Sequence, residues 1–297
     1  MFKWLRYFVL FPLASLLPLP LAYRLAGWLY RHDPVLRRPT REAVATALGK
    51  ISPEVLPEVA NSEQMPALLD HYQTNLGHEL LDVYYLPRLT SRNIDRWVDI
   101  DGLDLLAAPR PDGRGRILAM AHYGRPSLLF AALGAKGVKL HILTQVIDTR
   151  NPYLDRADRW FLRFKVWGNR QANPGEWLTI ADNPRQLYQL LKDGDTVVIL
   201  FDVPPNPGDA TQAAPFLGRT LKIPQGLQRL AERTGAALCY GAVHDSGWRA
   251  RVTIEPLPEE SVDAAVKGAI SLLERDVRQN PAHWWQWICI DALLFPL

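Results

Sequence analysis

ILAMAHYGRPS, Ile117–Ser127, begins with five uninterrupted apolar residues, then a histidine, then a glycine, and leads into a helical pattern near Ser127–Leu133. A short continuous apolar run bounded by polar residues suits a strand buried on both faces, and the passage from it into a helix suits an α/β unit. The pattern recurs. TVVILF, Thr196–Phe201, is again a continuous run and is followed directly by Asp202. Between them VKLHILT, Val138–Thr144, alternates as a half-buried strand does.

Further out, Ala236–Val243 and Arg249–Leu257 are strand-like runs separated by the turn signal HDSG, which predicts an antiparallel hairpin. Helical stretches are expected near Tyr153–Val166, Pro184–Lys192, Pro224–Thr234 and Ser261–Gln279. Apolar positions Leu68, Leu69, Tyr72, Leu76, Leu80 and Val83 recur at helical spacing between Pro66 and Pro87, and Arg41–Gly49 reads as a shorter helix ended by glycine. Strands alternating with helices predict an α/β fold with a mainly parallel central sheet flanked by helices. No repeat or low-complexity tract divides the chain. The expected organisation is a membrane-associating helical segment over 1–40 and one α/β domain over 41–297.

The 297 residues are 48% hydrophobic and 22% charged, the balance of a folded body rather than a disordered chain. Net charge is only +3, but the first fifty residues hold eight basic residues against Asp33 and Glu42. A basic excess beside apolar sequence suits an anionic membrane surface. No basic stripe with interleaved aromatics continues into the body, so nucleic acid is not an expected partner.

Tyr7–Tyr23 is uncharged over 17 residues. That is the lower limit for spanning a bilayer, and Pro12, Pro18 and Pro20 each remove a helical hydrogen bond. No small-residue cleavage site follows. A broken amphipathic hairpin is expected, with Trp4, Tyr23, Trp28 and Tyr30 at the water–lipid interface; packing on the protein's own core is the alternative.

Ligand sites of open α/β sheets collect at the carboxyl ends of strands. His122 and Asp202 stand at two such ends. Together they make a base and the carboxylate that fixes its tautomer and stabilises its protonated form. Gly124 would let backbone approach a ligand, and Arg125 could hold an anionic group. Arg156, Arg159 and Arg163 share a helical face and suit a phosphate or an acidic carrier protein; alternatively, Asp155 pairs with Arg159 on a solvated surface. HWWQW, His283–Trp287, either walls an acyl pocket or plugs the core. The other histidines are weaker candidates, with His71 and His78 expected to face solvent.

No HxH or HExxH pattern points to a metal, and Cys239 and Cys289, lying in apolar runs, are expected as reduced, buried thiols. No G-x-S-x-G, P-loop or G-x-G-x-x-G is present, which removes the common hydrolase and nucleotide-binding readings and leaves no cofactor implied.

Several segments taken together resemble the bacterial lipid A late acyltransferases, a family that includes mycobacterial mannoside acyltransferases. LPLPLAYRLAGWLY, REAVATALGKISPE, IDGLDLL, AHYG, NPYLDRADRWFLR, LKDGDTVVILFD, PFLG and LQRLAERTGA follow that family's order over nearly the whole chain. The resemblance implies acyl transfer from a thioester, on acyl carrier protein or coenzyme A, to a membrane lipid. It places the protein, peripheral or monotopic, at the cytoplasmic face of the inner membrane. It implies His122 as the base, in a motif where Asp or Glu stands five residues on.

Here that position is Ser127, and Arg125 and Pro126 replace the motif's usual Asn and Trp. Serine accepts a hydrogen bond but cannot stabilise imidazolium by charge. Either another carboxylate substitutes, with Asp202 before Asp209, or His122 is a weakened base suited to an amine acceptor. The expected function is transfer of a fatty acyl group to a hydroxyl or amine of a lipid or biosynthetic intermediate. The alternative is an inactive relative that binds lipid or carrier protein.

Overall fold

A computed structural model describes residues 2–57, 63–152, 154–206 and 208–295. Its frame is a seven-stranded sheet. In chain order the strands are β1 Val98–Asp101, β2 Arg116–Met120, β3 Leu140–Thr144, β4 Trp177–Thr179, β5 Thr196–Leu200, β8 Ala237–Ser246 and β9 Arg249–Pro256. They lie in the order β1-β9-β8-β2-β5-β3-β4. Every neighbouring pair is parallel except β8 with β9, the hairpin read from HDSG. The continuous runs Ile117–Ala121 and Thr196–Phe201 occupy adjacent central strands, where neither face meets water and alternation is not required.

Among the described residues the eight longer helices are α1 Leu19–Arg31, α2 Arg37–Leu48, α3 Met65–Tyr85, α4 Pro126–Ala135, α5 Arg156–Ala172, α6 Pro184–Lys192, α7 Gly226–Thr234 and α8 Val262–Gln279. Tyr153, expected to open the fifth of these, lies outside the described residues; that helix starts at Arg156, capped by Asp155, whose carboxylate accepts from the Asp158 amide. Pro224 does not open α7 as expected. It ends β7, Arg219–Pro224, which pairs antiparallel with β6, Thr211–Phe216, and with β10, Leu294–Phe295, in a small second sheet absent from the sequence reading.

The N-terminus folds as a broken hairpin. Short helical segments over Phe2–Leu5, Arg6–Leu10 and Phe11–Ala14 turn at Pro18 into α1. One face packs on the body: Phe11, Ala14, Ala22, Tyr23 and Ala26 are buried in the same core as Leu81, Leu86 and Leu118. Gly77 of α3 permits this approach, since a Cβ there would lie 2.6 Å from the Ala26 carbonyl oxygen. The other face leaves Leu13, Leu16, Leu17, Leu21 and Trp28 in solvent, with Trp4, Phe8 and Val9 also exposed.

Tyr23 and Tyr30 are buried rather than interfacial, because their hydroxyl-bearing rings fall on the inward face. Arg6 is also interior, paired with Asp33 at 2.6 Å, and Lys3 is held by Asp155 and Asp158. No helix among the described residues is long and apolar enough to cross a membrane. Cys239 is buried and Cys289 half-buried, both free, with burial pushing the Cys289 thiol up to about 12.

Candidate active site

Strands β2 and β5 pair with Met120 opposite Leu200, so the residues two beyond each emerge side by side at one sheet edge. These are His122 and Asp202. The Asp202 carboxylate is fully buried and receives the His122 backbone N–H at 3.0 and 2.9 Å, His122 Nδ1 at 2.8 Å and the Trp284 indole N–H at 2.9 Å. A carboxylate that already receives the His122 backbone N–H and the Trp284 indole N–H suits a third donor at Nδ1, and in that tautomer Nε2 carries the lone pair. The Gln286 amide group lies 3.0 Å from Nδ1 and also donates to the Asp202 carbonyl oxygen at 2.7 Å. Among the described residues Nε2 has no hydrogen-bond partner. An imidazole held in this way is able to take a proton at Nε2.

His122 lines a cavity of about 720 Å³, within the size range of small-molecule sites. Its walls are mainly apolar: Phe130 of α4, Leu162 and Val166 of α5, Trp177 of β4, Leu187 of α6 and Leu227 of α7. HWWQW divides between the core and the cavity wall. Trp284 and Trp287 are buried in the core, while Trp285 faces the cavity.

Arg125 cannot hold part of a substrate. It is fully buried, with Nε and Nη2 on Asp82 at 2.7 and 2.6 Å, Nη2 on the Tyr23 hydroxyl at 2.7 Å, and Nη1 on Asp245 and the Gly247 carbonyl at 3.1 and 2.9 Å. Its donors are consumed by the fold. Gly124 likewise serves packing rather than a ligand: φ is +66°, and a Cβ would fall 1.8 Å from the Val243 carbonyl oxygen. Its own carbonyl accepts from the Trp285 indole at 2.9 Å and from Asn75 at 3.3 Å.

Ser127 lines the cavity but does not orient the base. Its hydroxyl donates to Glu79 of α3, which also receives Lys165 of α5 at 2.7 Å. The carboxylate missing at position 127 thus stands behind the serine, supplied from another helix. Asp209 lines the cavity too, engaged with Asn206, so of the two carboxylates considered for His122 it is Asp202 that reaches it. Arg156 and Arg163 are exposed on α5, and Arg159 donates to the Leu154 carbonyl rather than pairing with Asp155. His78 is buried and its Nδ1 donates to Asp245 at 2.6 Å instead of facing solvent; His71 is exposed.

Sequence reasoning missed Glu79 and Lys165, and it singled out HWWQW without assigning Trp284 or Gln286 to Asp202. Gln73, Asn75, His78, Glu79 and Asp82 of α3 are all buried. Among the described residues no group of His, Cys, Asp and Glu could hold a metal ion. The chain matches the family model of bacterial lipid A biosynthesis acyltransferases over residues 3–289. No curated protein matches it.

Proposed function

Because the chain belongs to the bacterial lipid A biosynthesis acyltransferase family, we propose that it moves a fatty acyl group from a thioester on acyl carrier protein or coenzyme A to a hydroxyl or amine of a lipid or biosynthetic intermediate. The observation that carries this is the His122–Asp202 pair set in the wall of an apolar cavity. Nε2 takes the acceptor's proton as its oxygen or nitrogen attacks the thioester carbonyl. Asp202 stabilises the imidazolium that forms. When the C–S bond breaks, the same proton passes to the departing thiolate, so ester or amide and free thiol are the products.

The acyl chain occupies the cavity. Arg156 and Arg163, exposed on α5, suit an acidic carrier protein. The apolar outer face of the N-terminal hairpin, with Arg24 exposed beside it, supports peripheral association with the cytoplasmic face of the inner membrane.

The test is intact-mass spectrometry of acyl-carrier-protein thioesters of several chain lengths incubated with wild type and His122→Ala. Loss of one chain length with wild type only is expected. If both proteins leave every thioester intact with membrane extract added as acceptor, the reading fails in favour of binding without turnover.

A further inference from the structure

We infer that Ser127, Glu79 and Lys165 form a subsite for a hydroxyl carried on the acyl chain near its thioester end. This rests on the acyl-transfer reading only for the nature of the cavity's occupant.

Ser127 and Lys165 both face the cavity, and Ser127 lies in the first turn of α4, five residues after His122. Both converge on Glu79 Oε1, while Glu79 Oε2 is buried and has no partner among the described residues. A plain alkyl chain laid over this spot would desolvate Lys165 and Ser127 and return nothing. A second anion fits poorly, since the Lys165 charge is already met by Glu79 and the newcomer would face that carboxylate. A hydroxyl suits the cluster: it accepts from Lys165 Nζ, which has donors beyond the one on Glu79, and donates to a lone pair of Ser127 Oγ, while Glu79 behind them holds both side chains in place. The remainder of the chain then lies along the apolar walls.

The experiment uses Trp177 and Trp285, both in the cavity wall, as fluorescence reporters. N-acetylcysteamine thioesters of dodecanoic, 2-hydroxydodecanoic and 3-hydroxydodecanoic acid are titrated into wild type, Ser127→Ala and Glu79→Gln. Wild type is expected to bind one hydroxylated thioester at least about tenfold more tightly than the plain one, the return on one charge-assisted hydrogen bond. Both variants should lose that preference and keep the plain chain's affinity; agreement between them guards against a folding defect in either. Equal affinities in wild type, or a preference that survives both substitutions, overturn the subsite. Turnover is read separately: a hydroxyl preference without turnover removes the acyl-transfer reading and leaves the subsite, and turnover without the preference does the reverse.

Discussion

Replacing Asp202 with asparagine tests whether His122 works as a base through its partner. The change keeps the size and removes the charge. Asp202 Oδ1 faces His122 Nδ1 and Oδ2 faces the Trp284 indole N–H, so an asparagine must present its NH2 to one donor or the other. With NH2 toward Trp284, two donors collide at a fully buried position. With NH2 toward the imidazole, Nδ1 becomes the acceptor and the ring proton moves to Nε2, where no lone pair remains to accept a substrate proton. The wrong tautomer is therefore favoured. Even in the correct one, the imidazolium loses an anion whose charge lies about 4 Å from its own, worth about 4 kcal/mol at an effective dielectric of about 20. The expected fall in kcat is about 10³-fold, with KM for the thioester within a few-fold because Asp202 lies behind His122. Thioester consumption from pH 6 to 9 measures it. A rate within threefold of wild type would refute the assignment of His122 and Asp202 as a working pair.

Three other outcomes follow from the same geometry. Arg125→Met leaves Asp82 and Asp245 buried without their cation and should cost about 3–5 kcal/mol, lowering the thermal midpoint by about 6 °C in circular dichroism; adding Asp82→Asn should restore part of the loss. Burial holds the His283 pKa down at about 4, below the roughly 6.5 of the unfolded chain. The unfolded state then binds a proton that the folded state refuses, so stability falls as pH drops from about 6.5 to about 4, by about 3 kcal/mol. His283→Asn should remove that part of the slope in urea titrations across the window, and an unchanged slope would refute it. Leu13→Asp, Leu16→Asp and Leu21→Asp combined should weaken sedimentation with anionic vesicles roughly 100-fold, at about 1 kcal/mol per exposed leucine, with the circular dichroism spectrum unchanged; undiminished sedimentation would refute the apolar outer face as the membrane contact.

The parts legible in the sequence were those set by local pattern. The runs Ile117–Ala121 and Thr196–Phe201 are apolar because central parallel strands are covered on both sides, and a residue following such a strand is at the sheet edge whatever the rest of the fold does. His122 and Asp202 were therefore placed together before any contact was known. The β6–β7–β10 sheet was not legible. It unites Leu294–Phe295 with a hairpin some seventy residues earlier, and a two-residue strand has no periodicity to read.

Arg125 shows the opposite failure. Beside a candidate base, an arginine invites an anionic substrate. Its carboxylates come from α3 and the β8–β9 turn, 43 and 120 residues away, and nothing local announces them. Glu79 was hidden for the same reason, since its meaning lies in Ser127 and Lys165 from two other helices.

The Tyr23 hydroxyl contacts Arg125 and Asp82, and Arg6 is buried against Asp33, so the opening residues belong to the same polar interior that supports the turn after His122. Cutting the chain at about residue 40 to obtain a more tractable protein would strip Phe11, Ala22 and Ala26 from the face of α3 and leave Arg125 short of an acceptor. The trimmed product would come out of expression as aggregate rather than as a soluble catalytic core. Handling the protein calls for keeping every residue and changing the outer leucines, or for supplying a detergent to cover them.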